Sequence, residues 1–207
     1  MTDGRDAETL EGAIARIDAL LPAEDGTEDA LEAVVTGFGR YDGLPPRVAF
    51  LSDGRGGTLL EPIAYTREKG GRWPVPGGAA LDGASIPRAF WTLIGGPFEG
   101  KYRDASIVHD HYCVVKERAW ADTHRMFYEA MRCSGVGKRK AGVMFYAVHR
   151  FGPRWPDPSG EGVEGVAPAH EPRDGDAGTL VRDAEAIVER DMDADEIAAL
   201  ADRRALR

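Results

Sequence analysis

The chain predicts an α+β domain, and three observations carry that expectation. Residues 48–75 hold short β-rich runs broken by glycine turns, and residues 101–151 hold three apolar stripes at helical spacing. A length of 207 residues with 43% hydrophobic content suffices for one core with appendages. The expected architecture is a small antiparallel sheet or hairpin followed by a three- or four-helix layer, with helical extensions at both ends.

In chain order, Leu10, Ile14, Ile17 and Leu21 recur at helical spacing, and Leu31, Val34 and Val35 follow a break at 22–29. Two short amphipathic helices are therefore expected in an N-terminal extension over 1–38, ahead of a core domain over 39–155. In the core, Val48-Ala-Phe-Leu51, the Asp53-Gly-Arg-Gly-Gly57 turn and residues 58–65 read as a hairpin, with residues 73–75 as a third strand. Asp82 and Ser85 have the chemistry of helix caps, and Pro87 suits the first turn of a helix carrying Phe90, Trp91 and Leu93. The glycine-rich loop at 95–100 ends that helix. Three more helices are expected at about 101–117, 120–132 and 138–151, the middle one turning Trp120, His124, Phe127 and Met131 to a shared core. Residues 156–178 lie in a Pro- and Gly-rich stretch and read as a linker. Residues 179–207 read as an amphipathic tail, in which Leu180, Ala184, Ile187 and Val188, then Ile197, Leu200 and Ala201, keep helical spacing.

The net charge of -9 is unevenly distributed. Residues 1–36 carry ten acids against two bases (-8), residues 156–207 carry fourteen against six (-8), and residues 37–155 carry eighteen bases against eleven acids (+7). A basic core between acidic ends can attract an anionic lipid or another anionic ligand, while the ends screen the core or hold a protein partner. No apolar run approaches the ~20 residues that span a bilayer, and the first seven residues lack the basic-then-apolar pattern of a secretory signal, so a cytoplasmic or particle-associated location is expected. Cys113 and Cys133 are the two cysteines, which excludes a disulfide framework and a CxxC metal pattern, and both are expected as half-buried thiols.

Chemistry concentrates between Tyr102 and Met131. His109-Asp110 falls on one predicted helix and Asp122 on the next. An imidazole takes a proton from water near neutral pH when one carboxylate orients it, and a second carboxylate can hold a metal. His111 and His124 with Asp110 and Asp122 form an alternative imidazole-carboxylate metal set.

Asp82-Gly-Ala-Ser-Ile-Pro-Arg88, Val108-His-Asp110, Ala121-Asp122 through Phe127 to Met131, and Phe145-Tyr-Ala-Val148 with Phe151-Gly152 together resemble a phage and prophage family, the domain of unknown function numbered 1353. The resemblance covers about 47–155 and implies a phage setting without an activity. The His-Asp step, the Ala-Asp step and the aromatic at helical spacing also look like the active-site helices of phospholipase A2, above all its disulfide-free parvovirus form. That second resemblance implies His109 as base, Asp122 as its orienter, Asp110 as a Ca2+ ligand and Gly95 and Gly96 as carbonyl donors to the ion. The tyrosine of that pattern falls where this chain has Cys113, with Tyr112 just before it. The expectation is a small hydrolase doing calcium-assisted ester hydrolysis. A non-enzymatic phage particle or assembly component is the alternative, and a nucleic-acid-associated protein using the +7 core is a third reading.

Overall fold

A computed structural model describes residues 8–21, 37–52, 56–81, 87–90, 100–158 and 167–205. The architecture is α+β, with six α-helices and two small antiparallel sheets among these residues. The second N-terminal helix expected near Leu31, the helix of Trp91 and Leu93, and the positions of Asp82, Ser85, Gly95 and Gly96 lie outside the described residues.

The β-region forms two sheets where the sequence predicts one. β1 (Arg40–Asp42), β4 (Ile63–Thr66) and β5 (Arg72–Val75) make a sheet in the order β1-β4-β5, while β2 (Val48–Phe50), β3 (Gly57–Leu59) and β6 (Ala80–Leu81) make the other in the order β2-β3-β6. The predicted strand at 58–65 divides because Leu60 and Glu61 bend the chain and Pro62 has no N–H to continue a ladder. β3 thus stays with β2, in the register Val48↔Leu59 and Phe50↔Gly57, and β4 turns away to pair with β5. The β4–β5 hairpin closes through Arg67 N donating to Gly71 O, with Gly70 and Gly71 at φ of 82° and 79°, a region glycine enters without strain. Both sheets send apolar side chains inward, among them Leu59, Tyr65, Trp73 and Leu81.

The helical layer follows the predicted stripes. α1 (Leu10–Leu20) is capped by the Thr9 side chain and buries Ala13, Ile14 and Ile17. α2 (Arg103–Val115) ends where Lys116 turns left-handed at φ 56°. α3 (Trp120–Cys133) ends at Gly135, whose φ of 78° lets Val136 N donate to Met131 O. α4 (Lys138–Phe151) begins three residues later. α5 (Ala177–Glu189) and α6 (Ala194–Ala205) complete the set. α2 packs on α3, α3 on α4, α4 on α5 and α6, and α1 on α5. Gly142 in α4 is a contact point: a Cβ there would sit 3.1 Å from both Ile187 Cγ2 and Ile197 Cδ1, so a bare backbone lets α5 and α6 approach.

The tail stripe of Leu180, Ala184, Ile187, Val188, Ile197, Leu200 and Ala201 is buried in the common core. Acids of the tail and of the stretch just before it meet bases of the central segment: Lys138 with Asp191 at 2.7 Å, Arg150 with Asp176 at 2.7 Å, and Arg125 with Asp195. The uneven charge thus becomes, at the C-terminal side, an electrostatic seam inside one chain. No helix among the described residues is long and apolar enough to cross a membrane.

Candidate metal centre

α2 and α3 run side by side, and each presents one face to the other. On α2, His109 and Cys113 are four residues apart and so project from the same face, one turn above the other. On α3, His124 projects toward them. His109 Nε2 lies 2.8 Å from His124 Nδ1, and Cys113 Sγ lies 3.6 Å from His109 Nε2 and 3.9 Å from its Nδ1. All three are buried, and one donor atom from each falls within 4.8 Å of the others.

The tautomers follow from the partners. His124 Nε2 is 3.2 Å from the Pro153 carbonyl, which only accepts, so Nε2 carries the proton and Nδ1 presents its lone pair to His109. Burial alone lowers the pKa of His109 to about 3. Burial also holds that of His124 well below the ordinary value, with the neighbouring His109 and His149 adding to the effect. Both rings are therefore neutral at physiological pH, the protonation state in which imidazole binds a metal.

The surroundings are apolar and aromatic. His109 stacks on Phe127 with centroids 4.6 Å apart and planes 28° apart, while His124 meets Trp120 and Trp155 edge-on. Cys113 shares a satellite cluster with the same two tryptophans. Trp155 is tied down by its indole N–H, which donates to the Arg118 carbonyl at 2.6 Å.

Two of the three donor separations compare directly with those around a tetrahedral ion. With metal–nitrogen bonds of about 2.05 Å and a metal–sulfur bond of about 2.3 Å, tetrahedral angles put N and S about 3.6 Å apart and two nitrogens about 3.3 Å apart. The sulfur to His109 Nε2 distance already matches. The two imidazole nitrogens need to spread by roughly half an ångström, and the His109 proton has to pass from Nε2 to Nδ1, so that their mutual hydrogen bond is exchanged for two metal bonds.

The sequence-predicted residues distribute as follows. Asp122 does not face His109: its Oδ1 accepts from Arg67 Nη1 at 2.6 Å, and its backbone carbonyl accepts from the same guanidinium at 3.2 Å. The reason is helical phase, since residues two apart point about 200° apart, so with His124 aimed at α2, Asp122 turns toward the end of β4. His124 takes the place expected for that carboxylate. Asp110 is buried beside His109 on α2, yet it is not a member of the donor trio found among the described residues. Tyr112 points at the sheet, donating to the Pro74 carbonyl at 3.2 Å and meeting the Trp73 ring edge-on. His111 lies half-buried on a groove of about 530 Å³ lined also by Tyr112, Pro74 and Glu117. Sequence reading passed over Cys113 as a ligand, although His109 and Cys113 at i and i+4 on an apolar helix are a signal for two ligands on one face.

Residues 57–148, which contain all three donors, match the family described as "Protein of unknown function (DUF1353)". Two curated relatives, both from Sinorhizobium fredii, are similar: the uncharacterized protein y4jT at 50% identity and the uncharacterized protein y4iH at 44%, each over 97 residues, or 47% of this chain. The matched stretch is 29% of the first relative and 41% of the second, so the chain spans less than half the length of either. No solved structure matches. The match to the DUF1353 family model thus runs from β3 to the last turn of α4.

Proposed function

We propose that this protein binds a transition metal ion of the zinc class through His109, Cys113 and His124, and that the coordination position left over serves hydrolysis. The observation that carries the proposal is the buried trio itself, three soft or borderline donors from two helices within 4.8 Å. Two imidazoles and a thiolate suit zinc-class ions and offer no oxygen to calcium. Three protein ligands with one free position are the pattern of hydrolytic rather than purely structural zinc, in which the ion polarises a carbonyl or activates a water. His109 as a free general base fits less well, because a pKa of about 3 leaves it little appetite for a proton at neutral pH. Arg154 lies over Trp120, so the aromatic wall beside the trio carries positive charge that favours an anionic substrate.

The test is metal content of the purified full chain, followed by titration of the stripped protein with Zn2+, Co2+ and Ca2+ beside Cys113→Ser and His124→Gln. The expected result is one zinc-class ion per chain, a thiolate-to-cobalt absorption band lost in Cys113→Ser, and affinity lowered at least about tenfold in each variant. Hydrolysis of chromogenic esters and phospholipid vesicles by the loaded protein then tests the open position. Wild type that binds no zinc or cobalt while remaining folded overturns the proposal. Calcium binding lost in Asp110→Ala, without any zinc site, favours the phospholipase-like arrangement instead.

A further inference from the structure

We infer that Asp202, on the C-terminal helix α6 and outside the matched family segment, is a positioning residue for the metal centre, an inference that rests on the metal-binding reading above. Its carboxylate is the start of a short series of contacts. Asp202 Oδ1 lies 3.0 Å from His149 Nε2 and 3.8 Å from Arg154 Nη2. Arg154 Nη2 donates in turn to the His149 backbone carbonyl at 3.0 Å, and the guanidinium lies 4.4 Å from the centroid of Trp120. One carboxylate therefore fixes both ends of the turn from 149 to 154 that leaves α4.

That turn carries the Pro153 carbonyl, the acceptor that receives His124 Nε2. The carbonyl decides which nitrogen of His124 is protonated, and hence which one presents a lone pair to the trio. Metal-bound histidines depend on such outer acceptors for ring orientation and tautomer. The turn also lies hard against the ligand. A Cβ at Gly152 would stand 2.2 Å from the Val148 carbonyl oxygen and 3.2 Å from His124 Cε1, so the turn leaves no room for a side chain at this point. His149 closes the series from the other side, its ring 4.9 Å from Trp120 and 6.3 Å from His124. Asp202 thus reaches the metal ligand through Arg154, the turn and the Pro153 carbonyl, without touching any donor atom itself.

The experiment compares the full wild-type chain with Asp202→Ala, Asp202→Glu and, as an independent break in the same turn, Arg154→Gln. Zn2+ affinity is measured by chelator competition and ligand geometry by the visible Co2+ spectrum, with melting temperature recorded alongside. The direct loss of an outer-shell partner costs metal affinity about 10–100-fold, and one contact further out a loss of roughly threefold to tenfold is expected in Asp202→Ala and Arg154→Gln, with shifted cobalt bands. Asp202→Glu restores most of both. A lower melting temperature with unchanged zinc affinity and an unchanged cobalt spectrum would make Asp202 a structural residue and overturn the inference, leaving the metal site standing. Wild type that binds neither ion removes the metal reading and this inference together.

Discussion

Asp183 and His124 are both buried, at 2% and 0% exposure, and both lie between helices, yet their surroundings are built differently. Around Asp183, where α4 meets α5 and α6, charge is answered by charge. Arg204 donates from Nη2 to Oδ1 at 2.7 Å and from Nε to Oδ2 at 2.9 Å, and the Tyr146 hydroxyl donates to Oδ2 at 2.5 Å. Arg150 bridges onward from the Tyr146 hydroxyl to Asp176. Around His124 the contacts within the trio are between uncharged groups, an imidazole on an imidazole and a thiol nearby. The first cluster has its donors and acceptors matched within the protein. The second brings two imidazole nitrogens and a sulfur to one small volume, where an ion would take the place of the proton that His109 Nε2 donates to His124 Nδ1. Burial of polar groups therefore marks structure in one place and a site in the other, and the distinction lies in whether the protein already supplies the opposite charge.

The largest expected effect tests the structural half of that comparison. Asp183→Ala leaves Arg204 and the Tyr146 hydroxyl without their acceptor, and breaking a buried pair from one side typically costs about 3–5 kcal/mol. Urea unfolding of wild type and variant measures it. Because none of the three donors stands on α5 or α6, zinc stoichiometry at low denaturant and saturating zinc should stay unchanged. A loss below about 1 kcal/mol would mean that the network is no stronger than a surface ion pair, and the contrast between the two clusters would fall.

A smaller effect, tuned by pH, tests the other half. The folded pKa values of His109 and His124 both lie below the unfolded value of about 6.5, so the unfolded chain takes up protons that the folded chain refuses. Stability from these residues is complete above pH of about 6.5 and is lost as the pH falls toward the folded values. Between pH 6.5 and pH 5 His109 contributes a loss of about 1.6 kcal/mol in the metal-free protein, and His124 adds a loss of the same sign. Chemical denaturation at several pH values across that window checks it, and His109→Gln should remove about one proton from the slope. A flat profile would show that the rings protonate in place, which a closed apolar site does not allow.

The fold was legible where a single residue property repeats, and less so where two elements compete for the same stretch. The stripe of Trp120, His124, Phe127 and Met131 and the helix from Lys138 to Phe151 are read directly from spacing, because burial of one helical face needs nothing from elsewhere in the chain. The two-sheet arrangement was not legible, since β1 and β6 are three and two residues long and owe their strand character to partners far along the chain. At the candidate site, the sequence pointed to His109 on α2 with Asp122 on α3, whereas in the structure His109 meets His124 and Asp122 pairs with Arg67. Asp122 and His124 are two positions apart, and only the rotation of α3 against α2 decides which one meets His109. Cys113 was read against a pattern that has tyrosine there, so its place one turn above His109 went unused.

That choice between Asp122 and His124 gives the smallest expected effect and the sharpest contrast. Asp122 is 42% exposed at its side chain and shares Arg67 with Glu129, whose carboxylate is 2.8 Å from Arg67 Nε. Asp122→Asn therefore removes one of two ion pairs, and a half-exposed pair is worth about 0.2–1 kcal/mol. Zinc affinity, the cobalt spectrum and any hydrolytic rate should match wild type, because the helix turns this carboxylate away from the trio. The same measurements on His124→Gln should show the opposite pattern, with metal binding lost. If instead Asp122→Asn abolished activity and left stability and metal content untouched, the working base would be a His109–Asp122 pair formed by rotation of α3. The imidazole–imidazole contact would then be the resting form of the site rather than the frame of a metal centre.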